Sequence, residues 1–327
     1  MKKIVTLGEV MLRLSTPNHE RFFQASNFEI EFGGSEANVG ATLASLGNHV
    51  IYLSSFPDHE IGKACVAKLR RNGLDTTFVQ LADGRMGTYF LEHGAMQRSS
   101  KIIYDRSDSV FSKRACQNLN WDQVLRNAEW LHWSGITPAL SQTTADFTLE
   151  ALKQCDARGI KVSADPSYRS NLWDYGKSPT DIMPELLAFS DLIIGGARDF
   201  ETCLGLNSGS SHQEVFELIP KLKWIATSNR VPVDASENLF SASLHSKESI
   251  INSREYQLKN IVERVGTGDA FAGGLIHGLL HESEERALDL GVAAAVLKHS
   301  MPGDVLNCTL EELNEIIDQE TFGRIKR

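Results

Sequence analysis

What most constrains the fold of this chain is an alternation. Short β-rich runs at Ile4–Gly8, Val50–Phe56, Trp130–Ser134, Ile160–Asp165, Asp191–Gly195 and Trp224–Thr227 are separated by helically patterned segments. Those segments lie at Glu36–Leu46, Ile61–Asn72, Thr143–Arg158 and Asp199–Leu204. Such alternation argues an α/β fold with a mostly parallel sheet, whose ligands bind beyond the carboxyl ends of the strands. Two more helices are expected in the tail, one after Asp269 and one over about Glu285–His299, stopped by Pro302-Gly303. Met11–Phe32 and Gly87–Phe111 break the alternation with short alternating runs such as Phe28-Glu29-Ile30-Glu31-Phe32. They predict antiparallel strands outside the main sheet, a small lid built from two insertions (about 11–32 and 87–111) on a single domain spanning 1–327.

The chemistry gathers at Val265-Gly266-Thr267-Gly268-Asp269-Ala270-Phe271-Ala272-Gly273-Gly274. Gly266 and Gly268 free the backbone for a tight turn, and Phe271, Leu275, Ile276 and Leu279 recur at helical spacing. A helix start offers unpaired N–H groups and a positive dipole end, which suit an anion. Asp269 falls in the first turn and can face the same space. An anion cradle beside a carboxylate is what phosphoryl transfer to a hydroxyl requires. Taken alone, the four residues Gly266–Asp269 also fit a helix-capping turn.

Composition narrows the partners. A formal charge of −9 without Lys/Arg runs argues against nucleic acid. No apolar run approaches the ~20 residues of a membrane helix, and the apolar stretch after Met1-Lys2-Lys3 is too short for a signal peptide. The five cysteines are scattered, with no CxxC pair, so reduced thiols in a cytoplasmic protein are expected. The histidines form no HExxH motif, and there is no GxxxxGK[ST] loop, so neither zinc nor a P-loop is expected.

Three further stretches are candidates for a site. Gly33-Gly34 precedes a helix whose first turns carry Asn38, placed to bond sugar hydroxyls or simply to pack helix on sheet. Tyr89, Tyr104 and Arg106 in the second insertion can cover a polar ligand, Arg being suited to a carboxylate, or can form a solvated strand face. Asp165-Pro166-Ser167-Tyr168-Arg169 follows a strand, where Arg169 can reach over the crevice or pair with Asp165.

In that order along the chain, the Gly33-Gly34 motif with Asn38, the lid insertions, the Asp165–Arg169 turn and the Gly266–Asp269 signature resemble the ribokinase-like (PfkB-type) carbohydrate kinases over nearly the whole sequence. Within that family the chain is similar to the kinases of 2-keto-3-deoxygluconate through Gly87–Glu92, Lys101–Arg106, Trp133–Ile136 and Lys298–Asp304. The resemblance implies a three-layer α/β/α fold and an ATP- and Mg²⁺-dependent phosphorylation of a sugar acid, giving 2-keto-3-deoxy-6-phosphogluconate. It implies Asp269 as catalytic base and the backbone of Gly266, Thr267 and Gly268 as anion hole. Gly34, Asn38, Tyr89, Tyr104, Arg106, Arg169 and Asp304 would line the sugar-acid pocket. Thr227, Gly268 and Lys298 would lie at the cofactor and Asp199 at the metal. A homo-oligomer through the lid is expected from the same resemblance.

The sequence departs from the family in three places. Gly196 stands where the family has Asn before its acidic residue, here Asp199; Ser167 replaces an Asn; and Thr227-Ser228-Asn229-Arg230 differs from the usual strand end. Two other functions stay open: a kinase for another sugar, fructose- or ribose-like, and a kinase-like protein that binds with little turnover. The Arg106/Arg169 pair speaks against neutral sugars, and Asp269 against loss of turnover.

Overall fold

Strands covered on both faces must send alternate side chains into two cores, and these do. Ile4, Val50, Tyr52, Leu192 and Ile194 enter one core, while Val5, Leu7, Ile51, Leu53 and Ile193 enter the other. The computed structural model describes residues 1–232 and 237–318. In it, helices Ser35–Ser45, Glu60–Arg71, Thr267–His281 and Glu284–Lys298 cover the first face. Helices Gln142–Asp156, Pro179–Leu187, Ala197–Leu204 and His212–Leu218 cover the second. The result is the three-layer α/β/α architecture the sequence implied.

Seven strands run parallel in the order Trp224–Pro232, Leu192–Ile194, Lys161–Asp165, Ala128–Ser134, Lys3–Leu7, His49–Leu53, Leu74–Asp75. The sheet then continues past Trp224–Pro232 with Asn238–His245, which pairs antiparallel to it and to Ile250–Asn252 and Tyr256–Leu258. Two expectations are corrected here. The run expected over Val50–Phe56 divides: His49–Leu53 stays in the main sheet, and Ser55–Pro57 pairs separately with Gln80–Ala82. The strand expected to end at Thr227 continues to Pro232, because the antiparallel partner supplies a ladder that the sequence of this strand alone does not reveal.

The lid is a four-stranded sheet ordered Glu29–Gly33, Met11–Ser15, Thr88–Glu92, Lys101–Asp105. Its outer pairs are antiparallel as expected, but the central pair, Met11–Ser15 with Thr88–Glu92, is parallel. Those two strands come from separate insertions, so no hairpin turn dictates their relative direction. Residues opposite one another share a face. Glu31, Arg13, Tyr89 and Tyr104 form one row, and Ile30, Leu14, Phe90 and Ile103 form the adjacent row on the other face.

Candidate active site

The carboxyl ends of the parallel strands and the lid residues Met11, Tyr89, Ile102 and Tyr104 enclose a cavity of about 340 Å³. That falls within the ~300–1,000 Å³ usual for small-molecule sites. It gathers residues far apart in sequence: Gly34 and Asn38, Tyr89, Tyr104 and Arg106, Asp165 and Arg169, and Gly266, Gly268, Asp269 and Asp304. Every residue expected in the sugar pocket is therefore in its wall.

At its centre the helix Thr267–His281 begins. Gly266 has φ 79°, a left-handed conformation, and a Cβ there would lie 1.8 Å from the carbonyl oxygen of Asp304, so the position requires glycine. The helix ladder starts with the Ala270 N–H donating to Gly266 O at 2.9 Å, and N–H groups before that point have no intrahelical acceptor. Thr267 turns its side chain inward, donating to Arg264 O and accepting from Arg230 Nη2. Only its backbone is then available for an anion hole.

Asp269 is held by two donors from the neighbouring helix start, Ser35 Oγ to Oδ1 and Asn38 Nδ2 to Oδ2, each at 2.7 Å. Asn38, expected on sugar hydroxyls, thus orients the carboxylate. Burial raises the pKa of Asp269, while the bonds from Asn38 and Ser35 oppose the rise. Behind this pair lies Glu36, fully enclosed. Its Oε1 accepts from Ser134 N–H, Ser134 Oγ and Thr137 Oγ1, and burial pushes its pKa up to about 7. Glu36 thereby ties the end of the strand Ala128–Ser134 to the helix that presents Ser35 and Asn38.

The two arginines differ. Arg169 is exposed, donates to its neighbour's carbonyl, Tyr168 O, at 3.0 Å, and makes no ion pair among the described residues. Arg106, expected to be open to a ligand, is already paired: its Nε donates to Glu9 Oε2 at 3.0 Å and its Nη2 to the same oxygen. Of its three nitrogens only Nη1 makes no hydrogen bond among the described residues; the other two compensate the buried charge of Glu9. Asp304 is likewise engaged by the Tyr89 hydroxyl, at 2.6 Å, and by Arg13 Nη1. A Cβ on Gly33 would sit 1.7 Å from Asp304 Oδ2, which explains the first glycine of that motif.

Besides Thr267, three expected residues lie outside this cavity. Thr227 Oγ1 donates to Gly195 O at 2.8 Å and approaches His212 Nε2, next to Gly196 and Asp199 at the adjoining strand ends. Asp199 Oδ2 accepts from the Gly196 N–H at 3.0 Å and caps its own helix. Lys298, expected at the cofactor, is fully buried and donates to Met301 O at 3.0 Å. In this arrangement its ammonium group is turned to the turn that follows its helix.

A family model described as pfkB family carbohydrate kinase matches residues 1–309. The chain belongs to the pfkB family of carbohydrate kinases. A 2-dehydro-3-deoxygalactonokinase of Haloferax volcanii is 31% identical over 96% of each chain. A 2-dehydro-3-deoxygluconokinase of Bacillus subtilis is 25% identical over 92% of this chain and 90% of its own. The crystal structure of 2-dehydro-3-deoxygluconokinase from Thermotoga maritima superposes with a TM-score of 0.92 at 34% identity, covering 97% of this chain and all of that one.

Several residues of the kinase's site carry no motif. Ser35, Glu9 and Arg13 were not singled out in the sequence; Glu9 alone has a positional signal, directly beyond the carboxyl end of the first strand. Asp165, seen only as part of a turn, lines the cavity. Its pKa rises to about 7 through burial and the facing carboxylates of Asp199 and Asp269, against the Ser167 hydrogen bond. Among the described residues no three side chains are placed to hold a metal alone. Asp165 and Asp199 nonetheless fit a magnesium ion completed by phosphates and water, since a cation would offset both the burial and the neighbouring charges that raise Asp165.

Proposed function

We propose that the kinase transfers the γ-phosphoryl group of ATP to the terminal hydroxyl of 2-keto-3-deoxygluconate, forming 2-keto-3-deoxy-6-phosphogluconate and ADP. The observation that carries this reading is Asp269 at a helix start, in one cavity with the guanidinium groups of Arg106 and Arg169. The names of the relatives support the substrate class.

In this mechanism the sugar acid lies under the lid. Its carboxylate meets Arg169 and the remaining Nη1 of Arg106, and its far end lies at Asp269. Asp269 accepts the proton of the terminal hydroxyl as that oxygen bonds to the γ-phosphorus. The bond from phosphorus to the β,γ-bridging oxygen breaks, and ADP leaves with the electron pair. The N–H groups of Gly266–Gly268 hold the charge on the moving phosphoryl oxygens. Asp199 and Asp165 would hold magnesium, which when bound would neutralise phosphate charge. Tyr89 and Tyr104 shield the site from water on the lid side.

The Haloferax relative favours a second substrate, 2-keto-3-deoxygalactonate, which differs in the configuration of one carbon. An ADP-release assay across both epimers, other aldonic acids, fructose and ribose tests the proposal, with the position of the new phosphate ester read by NMR. Turnover restricted to neutral sugars, or phosphate on any oxygen but the terminal one, overturns it.

A further inference from the structure

One guanidinium joins the lid to both sides of the glycine turn. Arg13 projects from the lid strand Met11–Ser15 and is only 3% exposed. Its Nε donates to Ser15 Oγ at 2.6 Å, its Nη1 to Asp304 Oδ1, and its Nη2 to Glu263 Oε2 at 2.6 Å, with His93 Nε2 at 3.3 Å. The second oxygen of Glu263 accepts the backbone N–H groups of Arg264 at 2.8 Å and Val265 at 3.1 Å, the two residues leading into Gly266. The second oxygen of Asp304 accepts from Tyr89 in the cavity wall, and the Asp304 carbonyl packs on Gly266 itself.

We infer that Arg13 is a positioning residue that fixes the lid and the Gly266–Gly268 turn in a single register, so that the sugar site and the anion hole are set together. The inference rests on the kinase reading above for its consequence in catalysis, but not for its geometry. A planar fork with five donors can span Ser15, Asp304 and Glu263 at once; the compact ammonium of lysine cannot. Arg13 touches neither cavity nor substrate. Its effect passes through the two carboxylates, and a displacement of the turn by about 1 Å is enough to cost ~10²-fold in rate.

Two variants separate positioning from mere stability. Arg13→Lys keeps the charge and loses the fork. Glu263→Gln keeps an oxygen for the two backbone N–H groups but turns its own NH₂ against the guanidinium, cutting only the link to Arg13. Hydrogen exchange on the full-length protein without ligand, followed by mass spectrometry, should show faster exchange at 262–269 and at 11–15 in both variants. Exchange at 128–134 should stay at the wild-type rate. With ATP and 2-keto-3-deoxygluconate, kcat should fall about 100-fold in each, with the KM for ATP nearly unchanged. The double variant should be no worse than the poorer single one, as for groups that act as a unit. Multiplying losses, or a lid that loosens while 262–269 exchanges as in the wild type, would overturn the inference. If Arg13→Lys does not fold, Glu263→Gln decides alone. If the wild type phosphorylates no sugar acid, the functional reading fails and the exchange pattern still decides the coupling.

Discussion

At the scale of single residues, the chemistry rests on how Asp269 is held. Its carboxylate takes one bond each from Ser35 and Asn38 and otherwise faces the cavity. Asp269→Asn should lower kcat by ~10²–10⁴-fold. A carboxylate with a raised folded-state pKa loses stabilisation as pH rises through that pKa, and the amide has no such loss. The melting temperature of Asp269→Asn at neutral pH should therefore match or exceed the wild type, while a near-normal rate would remove Asp269 from the mechanism. Asn38→Ala deletes a bond that favours the ionised form, so the Asp269 pKa should rise further. The acid limb of the kcat/KM–pH profile should move to higher pH, and an unmoved limb would contradict the assignment. Asp269, Gly266 and Gly268 were legible in the sequence because turn, helix start and acid are adjacent in the chain. Glu9 and Arg13 were not: Arg106 finds Glu9 across 97 positions and Arg13 finds Asp304 across 291, and nothing local marks such partners. For the same reason the sequence left Arg106 free for a ligand when two of its three nitrogens already donate to Glu9.

At the scale of elements, the buried parallel strands were readable because their apolar runs must fill two cores. Asn238–His245 was not, since it buries only alternate residues and spends Ser and Ala on its length. The helix Ala197–Leu204 was also readable, but the role of its first turn depends on neighbours. Gly196 there has an extended backbone, and a Cβ would meet only Thr227 Cγ2, at 3.7 Å, an ordinary contact. Gly196→Asn should fold normally and add an amide beside Asp199, where the family has one. Magnesium titrations of turnover should show a lower half-saturating concentration in Gly196→Asn and a higher one in Asp199→Ala. Identical titration curves for all three proteins would place the metal elsewhere.

At the scale of the molecule, the lid has two unlike faces. Glu31, Arg13, Tyr89 and Tyr104 share the row that includes the cavity residues, whereas Ile30 and Ile103 flank Leu14 and Phe90 on the other face, 65% and 53% exposed. A small sheet with an apolar outer face and open edges calls for a cover, and we propose that a second copy placed by a two-fold axis supplies it. Sedimentation should show a dimer at micromolar concentration that Ile30→Glu with Ile103→Glu converts to monomer; a wild-type monomer would contradict this use of the lid. The central claim, a kinase for a sugar acid, is tested most directly by kcat/KM for 2-keto-3-deoxygluconate against fructose, in the wild type and in Arg169→Ala. Loss of one charge-assisted hydrogen bond costs about 1.5–3 kcal/mol. The wild type should therefore prefer the acid by well over tenfold, and Arg169→Ala should lose about ten- to a hundredfold of that preference. Equal efficiency on both sugars in the wild type, or a preference untouched in Arg169→Ala, would contradict the account.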